Sequence, residues 1–368
     1  MLLSAALIVK NEERFLGDCL ASICDVVDEI VVVDTGSTDD TRAIALEHGA
    51  RLFEFVWTHD FAAARNHALD QTQGQWILYI DADERILPET AATLRHQLEE
   101  TDHCAYFVSL HPRQGFTAYP ELRLFVNHPL IRFHGRIHEN IWPGINRYLH
   151  AIGGNIGSSD VILDHVGYEG DQQHKHQRNL PLLREALKAD PSRVFSWCHL
   201  ASIYLALGRR RLAKKAWTRA LALVRKKRGW LLAEDALPFN GLIQLGMHEG
   251  RGIRGLLEEA LAAFPDNLHL LWLQGEELMA AKDYAGAAQV FETHLARAES
   301  GAYDLAMAYD NRMLGVIPLA LLTTCHFKLG HYAESRDYFQ RAAEAEPANM
   351  EYRLKQALCS QLLETASP

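Results

Sequence analysis

The sequence predicts an α/β domain with a mostly parallel, doubly wound sheet, followed by an all-α helical-repeat solenoid. Three observations carry this prediction. Short apolar runs alternate with segments of helical spacing through the first half, the pattern of a β-α-β chain with helices on both faces of a sheet. Two of those runs lack period-two alternation and end in aspartate, as strands buried on both faces do when they leave the sheet. From about Arg178 strand signals vanish, alanine and leucine dominate, and a repeat period appears. The expected domains are residues 1–172 and 173–368.

In order, Leu2–Val9 is expected to be the first strand and Asn11–Cys24 a helix, from the spacing of Phe15, Cys19, Leu20 and Ile23. Glu29–Asp34 is a β-branched second strand. Thr35–Asp40 turns, and Thr38 or Asp39 caps a helix through Glu47. Arg51–Val56 is a third strand, Phe61–Gln71 a helix, and Trp76–Ile80 a fourth strand running into Asp81-Ala82-Asp83, with Glu84 and Arg85 expected to be an exposed pair. An amphipathic helix follows at Glu89–Glu100, then a strand at Cys104–Leu110, a loop at His111–Pro120 and a strand at Glu121–Val126. Leu130–Phe133 leads into Gly135–Asn140, and Val161–Tyr168 is a last short strand ending in a polar cluster. In the second half, Trp197, Leu200, Ala201, Tyr204, Gly208, Ala213, Trp217 and Ala220 fit the spaced positions of a tetratricopeptide repeat. Leu319, Leu322, His326, Gly330, Ser335, Phe339, Ala342 and Pro347 fit a second, with weaker copies through Gly241, Leu257, Ala260 and Pro265 and through Gly275, Leu278, Ala287 and Phe291. Such pairs of helices bury their apolar faces only by stacking.

A formal net charge of −10 argues against a nucleic-acid partner. No apolar run has membrane-spanning length, and the opening reads as a strand, not a signal peptide. The six cysteines are scattered without C-x-x-C spacing, which fits a reduced, cytoplasmic protein with buried thiols. The basic run Arg209–Arg211, Lys214, Lys215, Arg219 and Arg225–Arg228 reads as a solvated helix face or a contact for an acidic partner or anionic lipid.

The chemistry concentrates at the strand ends. Two aspartates one residue apart on a tightening turn can share a hard divalent cation, and that cation can hold phosphate oxygens. Neither G-x-G-x-x-G nor G-x-x-x-x-G-K-[ST] occurs, so no dinucleotide or P-loop cradle is signalled. The runs ALIVKNEE (6–13), DEIVVVDTGSTDDT (28–41), DFAAARNHAL (60–69) and GQWILYIDADE (74–84) resemble, in order and spacing, the nucleotide-binding half of the family 2 glycosyltransferases, with the GT-A fold. GRIHENI (135–141) is similar to the segment of bacterial members that join this domain to tetratricopeptide repeats.

The resemblance implies site residues. Asp34 would contact the base of a UDP-linked sugar, with Arg65 packed nearby, and Asp81 and Asp83 would contact the ribose and a divalent metal, Mn2+ or Mg2+. Glu139 stands where relatives place a catalytic base, His138 is its rival or orienting partner, and His165 would complete the metal's ligands beside Asp83. Arg123, Arg132 or Arg136 would face the leaving diphosphate, Arg123 being the representative, and Lys175 and Arg178 are weaker candidates for it. His174 and His176, at i and i+2 on a helix, point apart and are not expected to bind metal. Bland readings stand beside these: Asp34 caps its own turn, Arg65 is a helix charge paired with Asp60 or Asp70, His138 and Glu139 are a structural loop pair, and His165 is a core or capping histidine.

The activity implied is inverting, metal-dependent transfer of a sugar from a nucleoside diphosphate sugar to a peptide, protein or saccharide. Relatives that glycosylate bacteriocin precursors suggest a peptide held by the repeats. The alternative is a repeat scaffold with a degenerate transferase domain. For the repeats themselves, the other reading beside peptide binding is a rigid prop or homodimer contact for the catalytic domain. A nucleotidyltransferase would need a Gly- and Arg- or Lys-rich loop after the first strand, which Lys10–Glu13 is not.

Overall fold

The computed structural model describes residues 1–167 and 172–366, and the chain divides into two compact units, Met1–Pro191 and Ser192–Pro368. In the first unit β1 (Leu3–Val9), β2 (Glu29–Asp34), β3 (Arg51–Glu54), β4 (Trp76–Tyr79), β5 (Glu84–Ile86), β6 (His103–His111), β7 (Tyr119–Val126) and β8 (Asn155–His165) form one sheet in the order β3-β2-β1-β4-β7-β6-β8-β5. The first four named in that order pair in parallel, Val9 opposite Asp34 and Ala6 opposite Tyr79. The second half is mixed: β7 is antiparallel to both β4 and β6, β8 is parallel to β6, and β5 is antiparallel to β8.

Helices cover both faces: α1 (Leu16–Ile23), α2 (Thr41–Glu47), α3 (Phe61–Gln71), α4 (Pro88–Ala91), α5 (Leu94–Glu99), α6 (Trp142–Ala151) and α7 (Gln172–Ala189). One core packs Leu3, Leu7 and Leu78 against Leu16, Leu20 and Ile23 of α1; the other packs Val33, Ile77 and Phe125 against Ala68 and Leu69 of α3 and Ile145 of α6. Val31, Val32 and Val33 are fully buried, each contributing on the order of 2 kcal/mol by leaving water. That burial explains why β2 shows no alternation.

Several expectations change. The first helix starts at Leu16, not Asn11, because Asn11 adopts φ 56° and its side-chain oxygen accepts from Thr38 N. Glu84 and Arg85 are not an exposed pair: they open β5, and Glu84 is 1% exposed. α6 and the first half of β8 were not anticipated, and the expected helix at 89–100 is two short ones. Tyr168, expected at the end of the last strand, lies outside the described residues. The expected domain boundary at 172/173 precedes α7, whereas α7 groups with the first unit.

The second unit is helical among its described residues: α8 (Val194–Ala206), α9 (Arg210–Val224), α10 (Leu237–His248), α11 (Arg254–Ala263), α12 (Leu268–Ala280), α13 (Tyr284–Ser300), α14 (Val316–Leu329), α15 (Tyr332–Ala345) and α16 (Met350–Ala366). Each expected repeat falls on one helix pair, α8–α9, α10–α11, α12–α13 and α14–α15. The small positions permit close approach: a Cβ at Gly241 of α10 would stand 2.2 Å from Cε2 of Trp217 on α9. The basic run is only partly a solvated face, since Lys214 pairs with Glu249, Arg225 with Glu259 and Lys227 with Asp235.

Candidate active site

The order β3-β2-β1-β4 changes its direction of growth between β1 and β4, and the crevice beyond the carboxyl ends of such strands is where open α/β sheets take ligands. Lys10–Glu13 leaves β1 there, and Ile80–Asp83 leaves β4.

Arg65 is delivered by α3, whose start is fixed by Asp60 accepting from Ala63 N. Its Nη2 donates to Asp81 Oδ1 at 2.8 Å and its Nε to Glu139 Oε1 at 2.6 Å, while Nη1 is buried without a partner. The guanidinium packs over the rings of Tyr79, 4.9 Å away, and Phe133, 5.5 Å away. Arg65 is therefore not a surface helix charge; it joins the D-x-D turn to the Glu139 loop. That loop is closed by paired backbone bonds between His134 and Asn140, and half-buried His138 sits within it at φ 52°, a strained conformation of a kind found at functional sites. Burial opposes ionisation of Asp81, but Arg65 and Arg123 outweigh it and hold the carboxyl at about 2.

Arg123 is buried. Its Nη1 and Nη2 donate to the two oxygens of Glu84, at 3.1 and 2.8 Å, and its Nε donates to Glu121 at 2.9 Å. Glu84 also accepts from Asp81 N at 2.9 Å, so this buried pair sets the turn from beneath. Burial pushes the Glu84 carboxyl up and Arg123 opposes the shift. Arg123, expected at the diphosphate, thus has Nε, Nη1 and Nη2 each bonded to a carboxylate. Arg132 is likewise paired with Asp70, while Arg136 is exposed and its charge lowers the carboxyl of Glu185.

Asp83 and His165 come together: His165 Nε2 lies 3.1 Å from Asp83 Oδ2, and its Nδ1 lies 2.9 Å from the carbonyl of Pro112. A carbonyl only accepts, so Nδ1 carries the proton and Nε2 is aimed at Asp83. Burial lowers the imidazole's pKa, but the hydrogen bond and charge of Asp83 more than offset it, and the net direction is upward. Among the described residues no three His, Cys, Asp or Glu side chains are gathered to hold a metal. The Asp83–His165 pair nonetheless fits one: a hard carboxylate and an imidazole suit manganese or magnesium, and a backbone acceptor on the far ring nitrogen is the usual support of a ligating histidine. Gly167 leaves room for this pair, since a Cβ there would stand 2.0 Å from Asp83 Oδ2.

Asp34 ends β2 as expected, but its carboxylate accepts from Gly36 N at 3.3 Å and Ser37 N at 3.1 Å, so it shapes its own turn. Glu12 received no role from the sequence, although its place just after β1 at the switch point was a signal. Burial first, then the charges of Asp83 and Asp81, raise its carboxyl to about 7, against the pull of Lys175. Lys175 and Arg178 lie on α7, with Arg178 Cζ 5.8 Å from the Phe61 ring. The side chain of His174 lies outside the described residues.

Residues 4–156 match the model of glycosyl transferase family 2, and residues 196–224, 254–302 and 326–360 match tetratricopeptide repeat models. A TPR repeat-containing protein of Synechococcus elongatus is 46% identical over 37% of this chain and 34% of its own length. The SPbeta prophage-derived glycosyltransferase SunS of Bacillus subtilis is 27% identical over 51% of this chain and 46% of its own. The chain thus spans a third to a half of these relatives. Among solved structures, S. aureus TarS 1-349 in complex with UDP is 17% identical, covering 82% of this chain and 92% of that one at a TM-score of 0.40, too slight a likeness to bear on the site. Residues 4–156 are thus similar to the glycosyl transferase family 2, and the second half of the same chain is similar to tetratricopeptide repeats.

Proposed function

We propose that this chain transfers a sugar from a nucleoside diphosphate sugar, UDP-linked, to a peptide, protein or saccharide acceptor, with inversion at the sugar carbon. The observation that carries the reading is the Asp83–His165 pair, oriented by the Pro112 carbonyl, beside the Asp81–Arg65–Glu139 chain at the switch point. Asp83 and His165 would hold a divalent cation, which when bound neutralises charge on the departing diphosphate. Asp81, kept ionised by Arg65, is set to accept from ribose hydroxyls. Asp34, if it reads the base, does so from a turn its carboxylate already organises.

A single in-line displacement needs a base on the acceptor side. Glu139 takes that role here through Oε2, with Oε1 fixed by Arg65 and His138 next to it in the strained loop. The same ion pair favours a second reading, in which Glu139 serves only to anchor Arg65. For the acceptor, a groove of about 620 Å³ in the second unit supports a peptide; Met247, Trp272, Glu276, Met279 and Leu321 line it from the first helices of successive pairs. A cytoplasmic location and a homodimer through the repeats belong to the same reading.

The test is Glu139→Gln, assayed for UDP binding by calorimetry and for slow UDP-sugar hydrolysis with manganese, beside Asp83→Ala. Normal binding with lost turnover in Glu139→Gln supports the base. Loss of binding as well assigns Glu139 to Arg65's support. Unchanged manganese-dependent hydrolysis in Asp83→Ala removes the cation from the proposal.

A further inference from the structure

The turn between α9 and α10 carries apolar surface that stacking of the repeats does not use. Trp230 is 97% exposed, Leu232 55% and Leu231 37%, three consecutive large apolar side chains in solvent. The turn that presents them is built. Lys227 Nζ donates to both oxygens of Asp235 at 2.7 Å, and Asp235 is itself fully buried. Asp235 Oδ2 also accepts from Leu232 N at 2.9 Å, and Leu232 O accepts from Asp235 N at 2.9 Å, so both ends of the apolar segment are pinned.

Its charges divide in the same way. Arg225 is matched by Glu259 and Lys227 by Asp235, whereas Lys226 and Arg228 are exposed and enter no ion pair among the described residues. The acid on the far side, Glu234, has its carboxyl pushed up by burial and by Asp235. The turn therefore shows solvent an indole and two leucines flanked by two uncompensated cations.

We infer that this turn docks on an anionic lipid surface. Tryptophan and leucine beside lysine and arginine match the layering of a bilayer's edge, where amphipathic rings sit at headgroup level and cations meet the phosphate plane. The net charge of −10 opposes approach to such a surface, but charges more than about 8 Å away are screened at physiological salt. The docking is local, reversible and weakened by added salt.

The full-length protein is sedimented with phosphatidylcholine vesicles, with and without phosphatidylglycerol. The expected result is binding only where phosphatidylglycerol is present, falling as salt is raised. Lys226→Ala with Arg228→Ala lowers the partition coefficient about 30-fold. Trp230→Ser with Leu231→Ser abolishes binding while leaving the melting temperature in place, since both side chains are outside the core. No binding to phosphatidylglycerol vesicles, or binding that all four substitutions leave unchanged, overturns the inference. It is equally overturned if light scattering shows a wild-type dimer that Trp230→Ser splits while vesicles are ignored, which makes the turn a contact between copies.

Discussion

Replacing Glu12 by Gln should stabilise the first unit at alkaline pH, by an amount set by the carboxylates around the rim. Glu12 is half-buried at the end of β1, and burial together with Asp83, Asp81 and Asp39 raises its carboxyl from 4.5 to about 7. A carboxyl whose pKa is higher folded than unfolded binds its proton more tightly in the folded state. Between pH 4.5 and 7 the unfolded chain therefore carries fewer protons at this site, and stability falls as pH rises. The penalty is absent below 4.5 and complete above about 7. For a fully buried group a shift of this size would amount to roughly 3 kcal/mol. Glu12 keeps some contact with water, and screening brings the figure down to ~1–2 kcal/mol.

Glutamine keeps the shape and removes the charge. In a unit of this size about 1 kcal/mol moves the melting temperature by 2–4 °C. The variant should therefore melt about 2–8 °C higher than wild type at pH 8 in EDTA, with the gap closing by pH 5. Manganese should narrow the gap at pH 8, because a cation held by Asp83 and His165 relieves the repulsion that burdens Glu12. An offset that is the same at pH 5 and pH 8, or a variant less stable at pH 8, would refute the electrostatic account of the rim.

Three further substitutions separate the parts of the molecule. Gly167→Ala places a methyl group 2.0 Å from the Asp83 carboxylate, so Asp83 must leave His165. Calorimetry should show manganese-dependent UDP binding weakened about 10–100-fold, and the melting temperature should fall as well, since the added carbon also stands 2.6 Å from Asp83 Cβ. Arg65→Met strands Asp81 and Glu139 as neighbouring carboxylates and should cost about 3–5 kcal/mol in urea unfolding. Gly241→Ala drives a methyl group into Trp217 and should destabilise the second unit by about 1–3 kcal/mol, leaving UDP binding by the first unit unaltered.

What the sequence made legible follows from which signals are local. β2 and α3 lie where they were expected because a β-branched run has no helical alternative and Asp60 marks a helix start. α6 was not anticipated, since Pro143 and Gly144 look like breakers; yet proline is at home in a first turn, and Gly144 is needed where the backbone of Arg132 passes 2.5 Å from its Cβ position. β5 escaped notice because three residues starting with two charges offer no period to read.

The site divides along the same line, between what a residue is and what has reached it. Strand ends announced Asp81, Asp83 and His165 as available groups, but availability is decided by partners that the chain brings from far away. Glu84 takes Arg123 from β7, across 39 positions, and this one pairing both buries a glutamate that looked exposed and withdraws an arginine that looked free. Arg65 ties Asp81 to Glu139, so the first aspartate of the D-x-D turn is already compensated before any ligand arrives. Asp83 pairs with no arginine among the described residues; its partner is a histidine that the Pro112 carbonyl turns toward it. Two aspartates one residue apart are thus made unequal by the fold: an arginine neutralises the first, and a histidine whose own charge depends on pH faces the second, the one to which the proposal gives the cation.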